Sequence, residues 1–508
     1  MRIFITLSLF IGLISLLSGC LEKSAHDESH AQPNIVFIIT DDQSYSAVGA
    51  LGNDLIQTPN IDRLAARGTT FTHAYNMGGW NGAICTASRA MIISGRSLWR
   101  ANEFRKKWID KDEEALSQTW GRMMKEAGYQ TYMTGKWHVN APAAEVFDLA
   151  LNVRPGMPGD AWEHHEMMDK IRNDVKDDES NLAEVMPLGY FRPKNEMDQS
   201  WIPYDTVHGG FWEGGLHWSE VIKNDAFQFI ETAKKSSDPF FMYLAFNAPH
   251  DPRQAPKEFL DIYPIESIPL PESYLPEYPY RNEMGNDPTL RDEVLAPIPR
   301  SPYAVRKHIQ EYYAIITHLD EQIGAITKKL EREGVMDNTI IFFTSDHGLS
   351  VGKHGLLGKQ SMFDHSMRVP LIIAGKDIPK GRVIHNDVYL QDVMATSLEL
   401  AGITRPDFLD FHSFLDLAKG MTDKHHYDGI YGAYMNLQRM IRKDGYKLIL
   451  YPDIQKKLLF DLDSDPEETT NLATDQNYNR IQEKLFQDLL VLQEEFDDDL
   501  NLDSIYHR

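Results

Sequence analysis

The strongest constraint on the fold comes from two apolar segments that lie far apart in the chain. Residues 34–40 (NIVFIIT) and 339–344 (TIIFFT) are continuously apolar rather than alternating. Such short runs are typical of strands buried on both faces, as in parallel sheets that helices cover on both sides. Acidic residues follow each run, Asp41 and Asp42 after the first and Asp346 after the second. The pattern therefore predicts buried parallel strands with polar groups at their carboxyl ends.

Further elements alternate along the chain. Strands are predicted at 240–246 and 370–374, and helices at 59–66, 116–127, 221–234, 305–332 and 390–401. This alternation predicts an α/β/α sandwich with a mostly parallel central sheet. In such sheets ligands bind beyond the carboxyl ends of the strands, which is where the polar clusters lie.

The pattern changes near residue 428. Short strands are predicted at 429–434, 440–442, 446–451 and 458–462, followed by a helix at 479–496. We therefore expect a catalytic domain over 33–425 and a small C-terminal α+β subdomain with an antiparallel sheet over 426–508. Irregular stretches rich in Pro, Gly and Trp near 142–215 and 251–302 are predicted to be long insertions, which tend to be functional.

The N-terminus has the layout of an export signal. Arg2 precedes an apolar stretch over 3–17, which is too short for a membrane-spanning helix, and residues 1–19 are predicted to be a signal peptide. The segment 17–20 (LSGC) resembles a bacterial lipobox, in which Cys20 becomes the lipidated N-terminus. The alternative is an ordinary secretory signal with an incidental cysteine. We favour the lipoprotein because Cys20 lies at the end of the apolar run and a polar tether, within 20–32, follows it. The protein is therefore predicted to be attached by lipid in the bacterial cell envelope, in the periplasm or at the outer membrane.

Charge and cysteine content exclude some classes of partner and of scaffold. The chain has a net charge of −24, which argues against nucleic acid as a partner. A local cluster of cations can still reverse the sign of the potential in one pocket. Cys20 and Cys85 are the only cysteines, so no disulfide framework is expected once each has its own role.

The acidic residues at the strand ends suggest a metal site. Carboxylates buried together are unfavourable unless a cation balances them. Asp41, Asp42 and Asp346, with His347 next in sequence, supply hard ligands that suit Ca²⁺ or Mg²⁺ better than Zn²⁺. The alternative is that each acidic pair caps a helix or turn. Two pairs at two strand ends favour the metal.

The segment 84–89 (ICTASR) contains Cys-x-Ala-x-Arg, which resembles the maturation motif of type I sulfatases, members of the alkaline-phosphatase-like superfamily. The remaining family elements follow in the family's order, over about residues 33–472. The matching residues are Asp41 and Asp42, Cys85 and Arg89, Lys136 and His138 in GKWH, His250, Asp346 and His347, and Lys359. Ala87 stands where many members have proline.

The resemblance implies a mechanism. Cys85 would be oxidised to formylglycine by a formylglycine-generating or sulfatase-maturing enzyme, and its hydrate would be the nucleophile. A divalent cation, Ca²⁺ rather than Mg²⁺, would be held by Asp41, Asp42, Cys85, Asp346 and His347. Arg89, Lys136 and Lys359 would supply positive charge for the sulfuryl oxygens. One of His138 and His250 would protonate the leaving oxygen while the other handles the diol; we favour His250 as the acid, and the sequence leaves the choice open.

The expected substrate is a sulfated poly- or oligosaccharide, because aromatic-rich insertions suit sugar rings. His208 and His217 are candidates for lining its pocket. Two alternatives remain. One is a phosphonate or phosphate monoester hydrolase of the same superfamily. The other is a non-catalytic glycan-binding lipoprotein, which would have no need of the motif around Cys85.

Overall fold

The computed structural model describes residues 32–156, 169–171, 173, 182–186, 188–212 and 215–506. The predicted signal peptide, the lipidation site Cys20 and nearly all of the tether lie outside these residues. Within the described part of the chain, no helix is both long and apolar enough to cross a bilayer.

Strands and helices alternate through most of the chain. The strands are β1 (Asn34–Thr40), β2 (Gly68–Tyr75), β3 (Gly78–Gly79), β4 (Gln130–Lys136), β5 (Leu149–Arg154), β6 (Phe211–Trp212), β7 (Leu216–His217), β8 (Phe240–Ala245), β9 (Thr339–Ser345), β10 (Arg368–Gly375), β11 (Arg382–Tyr389), β12 (Ile430–Tyr434), β13 (Gln438–Lys443), β14 (Tyr446–Tyr451) and β15 (Lys456–Asp461). The helices are α1 (Pro59–Arg67), α2 (Ile84–Ser94), α3 (Leu98–Ile109), α4 (Glu113–Ser117), α5 (Trp120–Glu126), α6 (Ala143–Val146), α7 (Leu182–Val185), α8 (Trp218–Ala233), α9 (Lys257–Asp261), α10 (Pro302–Arg332), α11 (Asp364–Met367), α12 (Asp392–Leu400), α13 (Leu415–Lys419), α14 (Asn479–Glu495) and α15 (Leu502–Tyr506).

The central sheet confirms the predicted fold class. Its strand order is β11-β2-β10-β9-β1-β8-β4-β5. The pairings are parallel except those of β10, which runs antiparallel to both β2 and β9. The carboxyl ends of β1, β9, β8 and β4 therefore meet at one edge of the sheet.

Helices cover both faces of this sheet, which explains the unbroken apolar runs. Ile35, Phe37 and Ile39 of β1 belong to a core that includes residues of α2, α5 and α12. Val36 and Ile38 belong to a second core with residues of α1, α8 and α10. Alternate side chains of a strand point to opposite faces, so a strand covered on both sides must be apolar at every position.

Three sequence-based expectations differ from the structure. The predicted helix over 116–127 is divided into α4 and α5, because Thr119 has an extended backbone (φ −80°, ψ 147°). Its hydroxyl donates to the Leu116 carbonyl at 2.6 Å, which stabilises the break. The predicted insertion from 142 begins with the short helix α6 and then contains β5, a strand of the main sheet. Strands β2, β4 and β11 were not predicted, since Thr, Gly, His and Asn interrupt their apolar patterns.

The C-terminal sheet has the order β15-β14-β13-β12-β3. The pairs from β12 to β15 are antiparallel, as predicted, whereas β3 joins β12 in parallel from far upstream. Gly78 permits this junction, because a Cβ there would lie 2.0 Å from the Ala433 carbonyl oxygen. The described residues from 33 onward form one compact unit, and the boundary at 425/426 stays a prediction.

Candidate active site

The chain brings the acidic strand ends together at the carboxyl edge of the sheet. Asp41 and Asp42 follow β1, and Asp346 and His347 lie at the end of the neighbouring strand β9. Asp42 has a left-handed backbone (φ 72°), which turns the chain sharply after the strand. The Asp42 amide donates to Asp346 Oδ1 at 3.2 Å, and the His347 amide donates to the same oxygen at 3.0 Å. These four side chains are fully buried or nearly so.

Three buried cations face the carboxylates. Arg89 Nε donates to Asp346 Oδ2 at 2.9 Å, and its Nη1 donates to the Lys136 carbonyl at 2.6 Å. Lys136, the last residue of β4, forms an ion pair with Asp41. Lys359 Nζ lies 2.9 and 3.0 Å from the two carboxylate oxygens of Asp42. The cluster therefore has buried opposite charges fixed in place.

The pKa values show that negative charge is crowded here. Burial is the largest cause that raises the pKa of Asp42, Lys359 and His347 oppose it, and Asp41 and Asp346 add to it, so that the pKa is about 7. Burial likewise raises the pKa of Asp346, with Asp41 the next cause. Burial lowers the pKa of His347, but Asp346 and Asp42 outweigh it and raise this pKa to about 9. A cation placed among these groups would relieve the same repulsion.

The donor set fits a divalent cation. One ligand atom from each of Asp41, Cys85, Asp346 and His347 lies within 4.8 Å of the others, and Asp41, Asp42 and His250 form a second such group. Within the described structure, Asp41 Oδ1 is buried without a hydrogen-bond partner, and the buried His347 Nε2 lies 3.1 Å from Asp42 Oδ1 and 3.6 Å from Asp346 Oδ1. His347 Nδ1 is 2.8 Å from the Gly348 carbonyl, which fixes the ring with Nε2 toward the carboxylates. Four of the five predicted ligands thus lie within reach of one cation, and the fifth, Asp42, belongs to the second group with Asp41 and His250.

Cys85 lies in the first turn of α2, with its sulfur between two lysines. Its Sγ is 3.7 Å from Lys136 Nζ and 4.0 Å from Lys359 Nζ. Burial raises the pKa of this thiol, but Lys136, Lys359 and His138 together lower it well below its ordinary value. Any group at this position therefore has two positive charges beside it.

The two predicted histidines approach from different sides. His138 Nε2 is 3.0 Å from the hydroxyl of Thr86, next to Cys85. His250 donates from Nδ1 to the Asp251 carbonyl at 2.7 Å, and its Nε2 lies 3.8 Å from Asp42 Oδ2. Burial lowers the pKa of His250 to about 3. To serve as an acid it needs a nearby anion that raises this pKa, and a bound sulfate would be such an anion.

Sequence reasoning missed the contribution of the second insertion. Arg291 Nη2 lies 3.2 Å from His250 Nε2 and 3.5 Å from Asp251 Oδ1. Asp292 Oδ2 lies 3.8 Å from Lys359 Nζ. Glu293 accepts from the Gly358 amide at 2.8 Å and so holds the loop that carries Lys359. The sequence signal that could have indicated this contribution was the run of three charged residues at 291–293 within an irregular segment.

Two further polar residues hold Asp346 in place. Asn76 Nδ2 and the Ser88 hydroxyl each donate to its carbonyl at 2.7 Å. Neither residue has a sequence pattern that predicts this role.

The other histidines have different surroundings. His354 and His365 are buried against Phe363, with ring centroids 4.0 and 5.5 Å from it. His208 stacks on Trp201 at 5.2 Å. His217 caps α8 by accepting from the Ser219 amide at 3.0 Å, and it lines a cleft together with His250. The structure thus brings all the family-derived residues together, while their individual roles stay predictions.

The mostly parallel sheet, with buried carboxylates and fixed cations at its carboxyl edge, has the α/β architecture of solved sulfatase structures. The chain belongs to the sulfatase family, within the alkaline-phosphatase-like superfamily, and is a sulfuric ester hydrolase. The family model described as Sulfatase matches residues 33–403. A second, described as N-sulphoglucosamine sulphohydrolase, C-terminal, matches residues 352–495.

Similar proteins cover nearly the whole chain. An arylsulfatase of Clostridium perfringens is 29% identical over 468 residues, which is 88% of this chain and 91% of that protein. An N-acetylglucosamine-6-O-sulfatase of Bacteroides thetaiotaomicron is 26% identical over 97% of this chain and 91% of that protein. A structure solved with its substrate D-glucosamine-2-N,6-O-disulfate superposes with a TM-score of 0.67 at 24% identity, over 92% of this chain and 99% of that chain. The last likeness concerns the fold.

Proposed function

We propose that this sulfatase hydrolyses sulfate esters of a sulfated poly- or oligosaccharide, with a formylglycine made from Cys85 and a bound Ca²⁺. The observation that carries the proposal is the position of Cys85, between Lys136 and Lys359 and within the group of ligand atoms from Asp41, Asp346 and His347. The glycan substrate is supported by the name of the Bacteroides relative.

The formylglycine and the cation have defined places in this proposal. Asp41, Asp42, Asp346 and His347 would hold the cation, together with the modified Cys85. When present, the hydrated formylglycine would supply the nucleophilic oxygen, and the cation would supply positive charge.

The chain's own residues provide the electrostatic environment. Lys136 and Lys359 lie on two sides of the reactive position and neutralise charge on the sulfuryl oxygens. Such preorganised charge costs no reorganisation during the reaction, and one positioned donor is worth about 3 kcal/mol. Arg89 acts indirectly, because it holds both Asp346 and the backbone of Lys136.

The histidines handle protons. His250 Nε2 lies 3.2 Å from Arg291 Nη2 and 3.8 Å from Asp42 Oδ2, on the side away from the backbone hydrogen bond of its ring, and we assign His250 the proton that the leaving oxygen receives. His138 lies beside Thr86, next to the reactive residue, and we assign it the proton removed when sulfate is released.

The rival functions make different predictions. A phosphate or phosphonate monoester hydrolase would use the same charges on a more negative substrate. A binding protein would have no use for a buried reactive residue flanked by lysines. Nitrophenyl sulfate and nitrophenyl phosphate, which share a leaving group, therefore separate the three functions.

The test uses the protein coexpressed with a maturation enzyme. The wild type should turn over the sulfate ester faster than the phosphate ester, and Cys85→Ser should lose about 10³-fold or more. Trypsin should release residues 68–89 as one peptide containing Cys85, with the aldehyde or its hydrate in place of the thiol. A fully active enzyme that carries only the thiol would refute the mechanism. Faster turnover of the phosphate would refute the assignment to sulfate.

We further propose that lipidated Cys20 anchors the enzyme to a membrane of the bacterial cell envelope. The support is the apolar run that ends at Cys20 and the polar tether after it. Such an anchor would keep the enzyme near imported or extracellular glycans.

A further inference from the structure

The side chain of Gln360 connects segments that meet at the active site. It follows Lys359 directly, and the residue is only 1% exposed. Its Nε2 donates to two acceptors, the Gly82 carbonyl at 2.8 Å and Asp292 Oδ2 at 2.7 Å. Its Oε1 accepts from the Lys359 amide at 3.0 Å. Both N–H groups and the oxygen of this buried amide thus have protein partners, which allows the amide to fix the segments around it.

The partners of this amide belong to segments that are far apart in the sequence. Gly82 lies three residues before Cys85, in the loop that leads into α2. Asp292 belongs to the second insertion and is 4% exposed. Gln360 joins both of them to the loop that carries Lys359. A shift of any one segment would therefore break a buried hydrogen bond, which is costly because the polar group left behind has no access to water.

The loop before Gln360 is closely fitted to its side chain. A Cβ at Gly358 would lie 2.6 Å from Gln360 Oε1 and 2.9 Å from Glu293 Oε1, so only glycine leaves enough space there. Glu293 Oε1 also lies 3.2 Å from the Leu357 amide, which donates to it. The second insertion therefore holds this loop through its backbone as well as through Gln360.

The C-terminal sheet supports the same residue. Gln438, the first residue of β13, is fully buried. Its Nε2 donates to the Gln360 carbonyl at 2.9 Å and to the Met284 carbonyl at 2.7 Å. The side chain of Gln360 is thus held by the active-site segments, and its backbone is held by the antiparallel sheet.

The position of Lys359 depends on these contacts. Its Nζ lies 4.0 Å from Cys85 Sγ and 2.9 and 3.0 Å from the two carboxylate oxygens of Asp42. Asp42 orients the ammonium, whereas Gln360 fixes the backbone from which the long side chain extends. Accurate placement matters for catalysis, because a displacement of about 1 Å can lower a rate by about 10²-fold.

We propose that Gln360 is a positioning residue, which fixes Lys359 at the distance from residue 85 that binding of the sulfuryl group requires. This inference rests on the proposed function. Gln360 acts through Lys359 and does not touch the substrate. Glutamine suits this role because one amide donates two hydrogen bonds and accepts another, whereas a carboxylate of the same size can donate none.

The first variant is Gln360→Glu. It keeps the size of the side chain, but it cannot donate to Gly82 or Asp292 and it places a second negative charge beside Asp292. The value of kcat/KM for nitrophenyl sulfate should fall about 10²-fold. Rates are compared at equal aldehyde content of the tryptic peptide 68–89, so that a defect in maturation is not counted.

A matched control uses another buried glutamine. Gln310 Nε2 donates to the Tyr263 carbonyl at 2.7 Å, and Gln310 is 9% exposed. Gln310→Glu should keep kcat/KM within about threefold of the wild type, because this residue supports no active-site segment.

Two double variants separate positioning from general stability. Gln360→Glu combined with Asp292→Asn exchanges donor and acceptor and leaves the net charge unchanged, so it should recover at least about 10-fold of the lost activity. Recovery stays partial because the Gly82 carbonyl still lacks its donor. In a Lys359→Ala background, adding Gln360→Glu should cost less than about threefold, since no ammonium is left to misplace.

Binding of inorganic sulfate to the Cys85→Ser protein, measured by calorimetry, is a readout that needs neither turnover nor formylglycine. Gln360→Glu should weaken this binding about 10-fold, as expected when a charge-assisted hydrogen bond is misdirected. The exchange with Asp292→Asn should restore most of it. If Gln360→Glu gives no soluble protein, Gln360→Met, which is of similar length and uncharged, replaces it in the kinetic and binding measurements with the same expected losses.

The outcomes separate this inference from the proposed function. The role of Gln360 would be overturned by a loss of less than about threefold in the single variant, or by an exchange variant no better than the single one. An equal loss with and without Lys359 would also overturn it, since the glutamine would then only stabilise the fold. Failure of the wild type to hydrolyse nitrophenyl sulfate, with sulfate binding that still depends on Gln360, would instead overturn the proposed function.

Discussion

Replacing Arg89 with glutamine tests whether one buried ion pair organises the active site. The guanidinium is wholly inaccessible to solvent, as is its partner Asp346 at 2.9 Å. Its Nη1 also holds the Lys136 carbonyl at 2.6 Å. Glutamine keeps a polar group, but it is shorter than arginine and leaves the carboxylate without its opposite charge.

The expected loss of stability follows from this burial. Removing one partner of a buried ion pair costs about 3–5 kcal/mol, because the remaining charge is uncompensated. Unfolding entropy is about 2.1 cal/mol/K per residue, so the roughly 450 residues that the structure describes give about 1 kcal/mol/K. The apparent melting temperature should therefore fall by about 3–5 °C. Turnover of nitrophenyl sulfate should fall by at least about 10²-fold, because Asp346 and Lys136 both lose their support.

Thermal unfolding at one scan rate, with activity measured on the same preparations, checks both effects. Arg122→Gln is the control; its partner Glu113 has a side chain that is 70% exposed, and such pairs contribute little. An Arg89→Gln protein that melts within a degree of the wild type would contradict the estimate for the buried pair. A lower melting temperature with full activity would show that Arg89 stabilises the fold without positioning the catalytic groups.

Three further predictions concern the metal, the histidines and the anchor. Asp41→Asn and Asp346→Asn should each lose the bound cation and nearly all activity. A chelator should inactivate the wild type, and added Ca²⁺ should restore its activity. Elemental analysis that finds no metal in active enzyme would contradict this prediction. His250→Ala should lose about 10²-fold or more of its activity on a sugar sulfate but much less on nitrophenyl sulfate, because nitrophenolate leaves without a proton. His138→Ala should lose activity evenly on both substrates. The opposite pattern would exchange the roles of the two histidines. Cys20→Ser should move the protein from the membrane to the soluble fraction with unchanged specific activity, because it removes the acyl chains, two or more of which are needed for stable attachment. Continued association with the membrane would exclude the lipid anchor.

Local sequence was sufficient to predict an element of the fold where one short stretch of chain contains the whole pattern. The apolar runs that became β1 and β9 are buried on both faces, so every residue in them had to be apolar and their ends were easy to recognise. The polar residues after them were predicted to meet because parallel strands share one carboxyl edge. The order of short motifs then assigned residues to the family, although composition and spacing alone did not assign their roles.

The rest depended on contacts between distant segments. Nothing local in β10 reveals that it runs antiparallel to β9, because direction is set by the path of the chain between them. The same holds for Arg291 beside His250 and for Arg154 stacked on Trp218, which come from irregular or edge segments. The sequence by itself thus determined which strands are buried and which residue types are available for chemistry. Only the tertiary structure decided which charges lie within reach of each other, because electrostatic and hydrogen-bonding interactions act over a few ångströms in space, whatever the separation along the chain.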